Sequence, residues 1–287
     1  MNKKYFFAVL VIGLVLAGLL TSCTREGNVA DAAEINATAD DEALASSIND
    51  DITNETDEYV SAIELNGYVV EQSASGAQGT KGSVIISVDK PDSVNFPKIV
   101  TIDFGTEGFI GSRGNTLKGK LIVTITNRMF IANSSRTISF DNFSINGNSI
   151  SGTKSTTYNG LNAGFHPNWT IQVNDAITKA DGTVVVWNSE RTREHIDMNG
   201  TPLQFWDDLY SIKGSSSGIN AKGKTYTMTI DANNPLIVGG GCAFIRQGKA
   251  TITSESKTVV VDYGNGDCDN LATTTVDGST REFKLSK

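Results

Sequence analysis

The sequence predicts an all-β protein: an extended antiparallel meander or sandwich of roughly 12–14 strands, preceded by a signal peptide and a short N-terminal helix. Three observations carry that class. From Tyr68 onward, β-branched and aromatic runs of strand length alternate with glycine-bearing turns, and no segment keeps a helical period. Thr225-Tyr226-Thr227-Met228-Thr229-Ile230 alternates strictly, with Tyr, Met and Ile on one face and threonines on the other, as a strand with one wet face does. Asn146-Gly147, Asp181-Gly182 and Asp277-Gly278 each stand between two such runs. These dipeptides suit the left-handed conformations of type I′ turns, so neighbours in sequence are expected to pair as hairpins.

The chain of 287 residues opens on Met1-Asn2-Lys3-Lys4 and an uncharged apolar run from Phe6 to Leu20, a signal peptide over residues 1–22. The run is too short for a comfortable membrane span. It leads into Leu20-Thr21-Ser22-Cys23, which resembles the lipobox of bacterial lipoproteins. That resemblance implies acylation of Cys23 as the mature N-terminus and a membrane partner reached through the lipid anchor. Thr24 in place of aspartate then favours the outer membrane, with surface or periplasmic face open.

Residues 24–60 carry eleven acids and one base, whereas residues 61–287 hold 21 of each. A neutral body lacks the basic footprint that nucleic acid requires. The segment 23–63 reads as an acidic stalk, kept solvated by its own repulsion. Leu44, Ile48, Ile52, Tyr59 and Ile63 recur near helical spacing, which predicts a helix from about Asp40 to Ala62 within it.

In the all-β body, 64–287, strands are expected at 67–72, 82–88, 97–104, 118–127, 135–145, 149–157, 168–174, 182–195, 208–213, 223–230, 243–254, 257–263, 271–276 and 280–285. Between Phe140 and Phe143 the apolar phase slips by one, which predicts a β-bulge at Asp141-Asn142. Residues 99–105 and 258–264 share the order apolar strand, aspartate, aromatic, glycine. Two related halves, or two strands ending in similar turns, would both produce that echo. Cys242 and Cys268 remain as an even pair in an exported body and are read as a disulfide, with two buried thiols as the alternative.

The lipobox, the acidic leader and the runs Val100-Thr101-Ile102-Asp103-Phe104-Gly105, Trp187-Asn188-Ser189-Glu190-Arg191-Thr192-Arg193-Glu194 and Asp262-Tyr263-Gly264-Asn265-Gly266-Asp267-Cys268-Asp269-Asn270 together resemble a family of uncharacterised all-β lipoproteins of Bacteroidota. The resemblance covers most of residues 40–287. It implies an outer-membrane or surface protein and carries no catalytic assignment. Members of that family often have a cysteine soon after the first Asp-aromatic-Gly, where this chain has Glu107-Gly108-Phe109, so any first-half disulfide is absent here.

Several constellations invite a chemical reading. Gly214-Ser215-Ser216-Ser217-Gly218 matches the serine-hydrolase string, but an alternating strand follows it instead of the helix that a nucleophile elbow needs. Glu190 and Glu194 share a strand face about 13 Å apart, too far for the two carboxylates of a glycosidase. Arg191, Arg193 and His195 take the opposite face, read as a solvated face with cross-strand salt bridges or as a seat for an anion or a carboxylate. His166 reads as a loop residue.

Asp262, Asn265, Asp267 and Asp269 gather oxygen ligands in a glycine-bearing loop suited to a structural calcium, although turn and cap chemistry explains the same residues. Trp206 and Tyr210 are the candidate members of a sugar-stacking platform, with Trp169, Trp187 and Tyr226 either beside them or in the core. Asp92-Ser93-Val94 fits a pattern of O-glycosylation at Ser93. The expected function is a non-enzymatic binding or envelope-structural role with a glycan or an envelope protein as partner. The alternative is a glycan-acting hydrolase with carboxylates from separate strands.

Overall fold

The computed structural model describes residues 23–69, 74–75, 83–111, 113–197, 207–255, 257–276 and 278–285, with side chains from residue 34 onward except at 74, 75 and 276. Residues 1–22, where a signal peptide is expected, and Trp206 lie outside the described residues. Among the described residues a single helix, α1 (Cys23–Leu65), precedes sixteen antiparallel strands in one sheet. They are β1 (Ala74–Ser75), β2 (Ser83–Val88), β3 (Lys98–Asp103), β4 (Phe109–Ile110), β5 (Thr116–Ile125), β6 (Ser135–Ile145), β7 (Asn148–Leu161) and β8 (Pro167–Thr178). The second half adds β9 (Val184–Asp197), β10 (Leu209–Ile219), β11 (Thr225–Ile230), β12 (Leu236–Gly239), β13 (Gln247–Ser254), β14 (Lys257–Asn265), β15 (Leu271–Val276) and β16 (Ser279–Lys284). Spatial order follows chain order, except that β4 flanks β5 and β12 bridges β10 and β13.

The expected meander is therefore present, with one strand misplaced. Residues 67–68 close the helix: Gly67 and Tyr68 take φ of 65°, Tyr68 N donates to the Ile63 carbonyl at 2.7 Å, and Gly67 N donates to the Glu64 carbonyl at 3.0 Å. This is a Schellman cap, in which a glycine at the left-handed position satisfies the last free carbonyls. Residues 70–72 of the expected strand lie outside the described residues.

The acidic segment is not a solvated stalk. From Ile35 to Val60 every residue of α1 is buried or half-buried, because the sheet rolls around it. Ile35, Leu44, Ile48, Ile52 and Val60 pack into the core, and Asp41, Glu42, Asn49, Asp51, Glu55 and Asp57 are buried as well. The wrap is staggered. Early strands meet the C-terminal half of the helix, where Tyr59 packs on Phe104 and Met129 N donates to Glu64. Late strands meet the N-terminal half, where Thr274 donates to Asn36 and Ser47 to the Ala243 carbonyl. Among the described residues no pairing joins β1 to β16.

Glycines at inward positions let the sheet coil this tightly. Gly152, Gly214 and Gly218 pair directly with Asp175, Arg191 and Trp187, all of which face the helix. Gly152 and Gly214 have φ of 116° and 123°, a conformation that side chains disfavour.

Local turn chemistry is mixed. Asn146 and Gly147 both have positive φ, as type I′ requires. At Asp181-Gly182 only the glycine does, and a longer turn closes between Lys179 and Thr183. Asp277 lies outside the described residues. The bulge is where the apolar slip places it: pairing with β5 skips from Ser144 to Asp141, around Asn142 at φ 49°. The two Asp-aromatic-Gly corners are alike in chemistry. Asp103 caps Gly105 N and pairs with Lys120, and Asp262 caps Gly264 N and pairs with Lys249. Lys120 comes from β5, later in the chain than β3, whereas Lys249 comes from β13, earlier than β14, so the corners are opposite in topology.

Candidate functional site

The inner wall of the roll is a row of cations and aromatic donors aimed at the helix. Alternation along β9 sends Trp187, Arg191, Arg193 and His195 inward, and they are buried rather than solvated. Arg191 donates to Glu42 Oε1 and to Ser46 Oγ, each at 2.6 Å. Trp187 Nε1 and Tyr226 OH both donate to Glu42 Oε2, at 2.8 and 3.0 Å. Lys179 pairs with Asp41 at 3.0 Å, Arg113 with Asp51 at 2.6 Å, and Arg136 with Asp57 at 2.6 Å. The carboxylate that the β9 arginine seats is one of the chain's own.

Lys154 is fully enclosed and donates to the Asn49 carbonyl at 2.7 Å, while Asn49 Nδ2 donates to Asp175 at 2.8 Å. Burial pushes the Lys154 ammonium down to about 8 and the Asp175 carboxyl up to about 6. Glu55 is pushed up to about 8, first by burial and then by the charge of Glu58. Each shift follows from closing these groups away from water.

Each of the two histidines meets a carboxylate. His166 Nδ1 lies 2.8 Å from Glu194 Oε1, which also accepts from Asn162 Nδ2 at 2.8 Å, and these contacts hold the Glu194 carboxyl below its ordinary range. His195 Nε2 lies 2.9 Å from Asp208 Oδ2 on the inward side. Burial drives this second pair in opposite directions, with Asp208 raised to about 6 and His195 lowered to about 4.

Tyr210 is no stacking platform. It is 2% exposed, with the His195 ring stacked 4.7 Å from its centroid and the Arg193 guanidinium 3.5 Å from it. Trp169, Trp187 and Tyr226 are core. Ser216 lies mid-strand in β10, paired to Ser189 and Met228 and buried, so it is not a nucleophile at an elbow. Cys242 and Cys268 form the disulfide, with Cα atoms 5.6 Å apart, just beyond the Gln247–Asn265 end of the β13–β14 hairpin.

The Asp262–Asp269 loop borders an open pocket of about 230 Å³ that also receives Arg246. Asp262 is paired to Lys249 and capped by Gly264 N, and Asp269 accepts from Leu271 N, so turn and cap chemistry accounts for both. Among the described residues no three acidic, histidine or cysteine side chains converge as metal ligands. Ser93 stands exposed in the β2–β3 loop, beside an Asp92 that caps Val94 N and Asn95 N.

Outward residues form the other candidate surface. A trough of about 520 Å³ crosses β8 to β11 on the outer wall. Register sets Gln172, Glu190, Ser215 and Thr229 in one row across four strands, and Asn188, Ser217 and Thr227 in the next. In the sequence Glu190 stands out as a candidate carboxylate, and Ser215 and Ser217 only as part of a hydrolase-like string. The alternation of β11, whose threonines form the wet face, was the available signal for the rest.

No protein-family model, curated protein or solved structure matches the chain. Among the described residues no helix is long and apolar enough to cross a membrane.

Proposed function

We propose that this chain is an exported outer-membrane lipoprotein, anchored through Cys23, with a non-enzymatic binding or envelope-structural role. The lipobox-like Leu20-Thr21-Ser22-Cys23 and the resemblance to Bacteroidota lipoproteins support the location. One structural observation supports the role. The interior of the roll, where such a sheet would hold a ligand or a catalytic pair, is filled by α1, and the buried Asp41, Glu42, Asp51 and Asp57 engage the wall's own cations. The outer wall and the loops are left as the surfaces for a partner.

The hydrolase reading has weaker support. Glu190 opens onto the outer trough, while Glu194 is held by His166 and Asn162 in a different setting. Lipid labelling and glycoside turnover test the proposal together. The full-length protein should incorporate palmitate and partition with membranes, Cys23→Ala should do neither, and a panel of envelope and dietary glycans should remain uncut. Cleavage that disappears in Glu190→Gln or Glu194→Gln would establish the hydrolase instead.

A further inference from the structure

We infer that the outer trough over β8–β11 is a binding site for a neutral, hydroxyl-rich ligand, an oligosaccharide segment lying across the strands. This rests on the binding role proposed above and names its ligand class. The trough encloses about 520 Å³, and the outward side chains facing it are hydroxyls, amides and a single carboxylate. Val173, Ser189, Ser216 and Met228 border it from the alternate, inward-facing positions of the same strands.

The outward side chains of this patch are available to a ligand. At other places on the wall outward polar residues satisfy one another across strands: Thr253 with Thr258 at 3.0 Å, Thr275 with Thr280 at 2.9 Å, and Asn159 with Thr170 at 3.1 Å. Among the described residues, the side chains of Gln172, Asn188, Glu190, Ser215, Ser217, Thr227 and Thr229 make no hydrogen bond to another protein group. Seven donors and acceptors are thus presented in two registered rows. Adjacent strands lie about 4.8 Å apart and rows about 6.8 Å, so four strands span about 14 Å, longer than one sugar ring.

The chemistry of the lining selects the class. An anion would meet the Glu190 carboxylate with no cation in the lining to offset it, and an apolar ligand would leave seven polar groups without partners. A polyol offers each hydroxyl as both donor and acceptor, which matches the mixed hydroxyl and amide rows.

The test uses the full-length protein in detergent, titrated by calorimetry with maltotetraose, cellotetraose, mannotetraose and chitotetraose. At least one should bind, and Ser215→Val with Ser217→Val should weaken it tenfold or more. Thr227→Val with Thr229→Val, isosteric on a neighbouring strand, should do the same with an unchanged melting curve. Thr253→Val with Thr258→Val, outside the trough, should leave binding as it was. No binding by any of the four sugars, or binding indifferent to both trough variants, would overturn the site while leaving the non-enzymatic role standing. Binding abolished by Glu190→Gln and by 0.5 M salt would identify a cationic ligand and overturn the neutral-sugar class. Cleavage of a bound sugar would instead overturn the non-enzymatic role and leave the site.

Discussion

Arg191 and Glu42 meet at 2.6 Å between the β9 strand and the centre of α1, with their side chains 6% and 0% exposed. Glu42 is a hub. Its second oxygen takes Trp187 from β9 and Tyr226 from β11, and the Arg191 guanidinium lies 4.8 Å from the Trp187 ring centroid. A helix this acidic has too little apolar surface on any one face to pack as an ordinary amphipathic helix. The wall holds it by meeting charge with charge, and desolvated charges of that kind are tolerated only when paired and hydrogen-bonded.

Removing one partner should therefore cost more than the pair itself contributes. Glu42→Ala or Arg191→Ala is expected to lower unfolding free energy by about 3–5 kcal/mol, since each leaves a buried charge uncompensated. Glu42→Leu combined with Arg191→Met should recover much of that loss. Urea unfolding followed by tryptophan fluorescence checks both. A single substitution costing less than about 1 kcal/mol would mean that the helix is not gripped at this point.

Stability should pass through a minimum near pH 8. Glu55 and Asp175 have folded pKa values raised to about 8 and about 6 from ordinary values of 4.5 and 3.8, so between those limits the folded state binds more protons and stability falls as pH rises. Lys154 is lowered to about 8 from 10.5, so above pH 8 the unfolded state binds more protons and stability climbs again. Asp208 and His195 shift in opposite directions and largely offset each other over pH 4–6. Melting temperatures across pH 5–9, below the range where the buried tyrosines with raised pKa values begin to lower stability, should trace this shape, and Glu55→Gln should flatten the descending limb between pH 5 and pH 8. A Glu55→Gln profile identical to the wild type would refute the assignment.

Most strands were legible because alternation and turn residues are local properties. The fate of the acidic segment was not, because it depends on what lies across the fold. Charge repulsion among Asp41, Glu42, Asp51 and Asp57 argues for a solvated leader only while their partners are unknown. A clue was nevertheless present on β9. Arg191 and Arg193 fall in phase with Val185 and Trp187, on the face that buries apolar residues, and cations in a core phase require an anion opposite. Lys154 and Arg136, both buried, repeat the signal on β7 and β6. The Tyr210 platform failed for the same reason, since aromatic content cannot distinguish a ring offered to a sugar from one covered by Arg193 and His195.

The disulfide should matter most to the last strands. Cys242 and Cys268 are 26 residues apart and close the open end of the β13–β14 hairpin. In the chain-entropy treatment a loop of that size stabilises by about 3.5 kcal/mol. Reduction with dithiothreitol should lower the melting temperature and speed amide exchange first in residues 257–276. Two titratable thiols in the unreduced native protein, or an unchanged melting temperature after reduction, would contradict this.

Curvature supplies the last prediction. At Gly214 a methyl group would sit 2.3 Å from the Glu190 carbonyl oxygen and 2.8 Å from the Arg191 Cα, on the inward side and at φ 123°. Gly152 is built the same way against Asn174 and Asp175 on β8. Both glycines stand beside a residue that faces α1, so flattening the sheet there would withdraw Arg191 from Glu42 or Asp175 from Asn49. Gly214→Ala should destabilise by more than the roughly 1 kcal/mol that an ordinary glycine position shows. In combination with Glu42→Ala the losses should be strongly non-additive, since both act on one contact. Gly223, at φ 77° in the β10–β11 turn with open space around it, separates the two causes. Gly223→Ala carries the backbone strain without the close approach and should cost less than Gly214→Ala. Equal losses at the two positions would mean that strain alone, and not the tight roll around the helix, accounts for the glycine at 214.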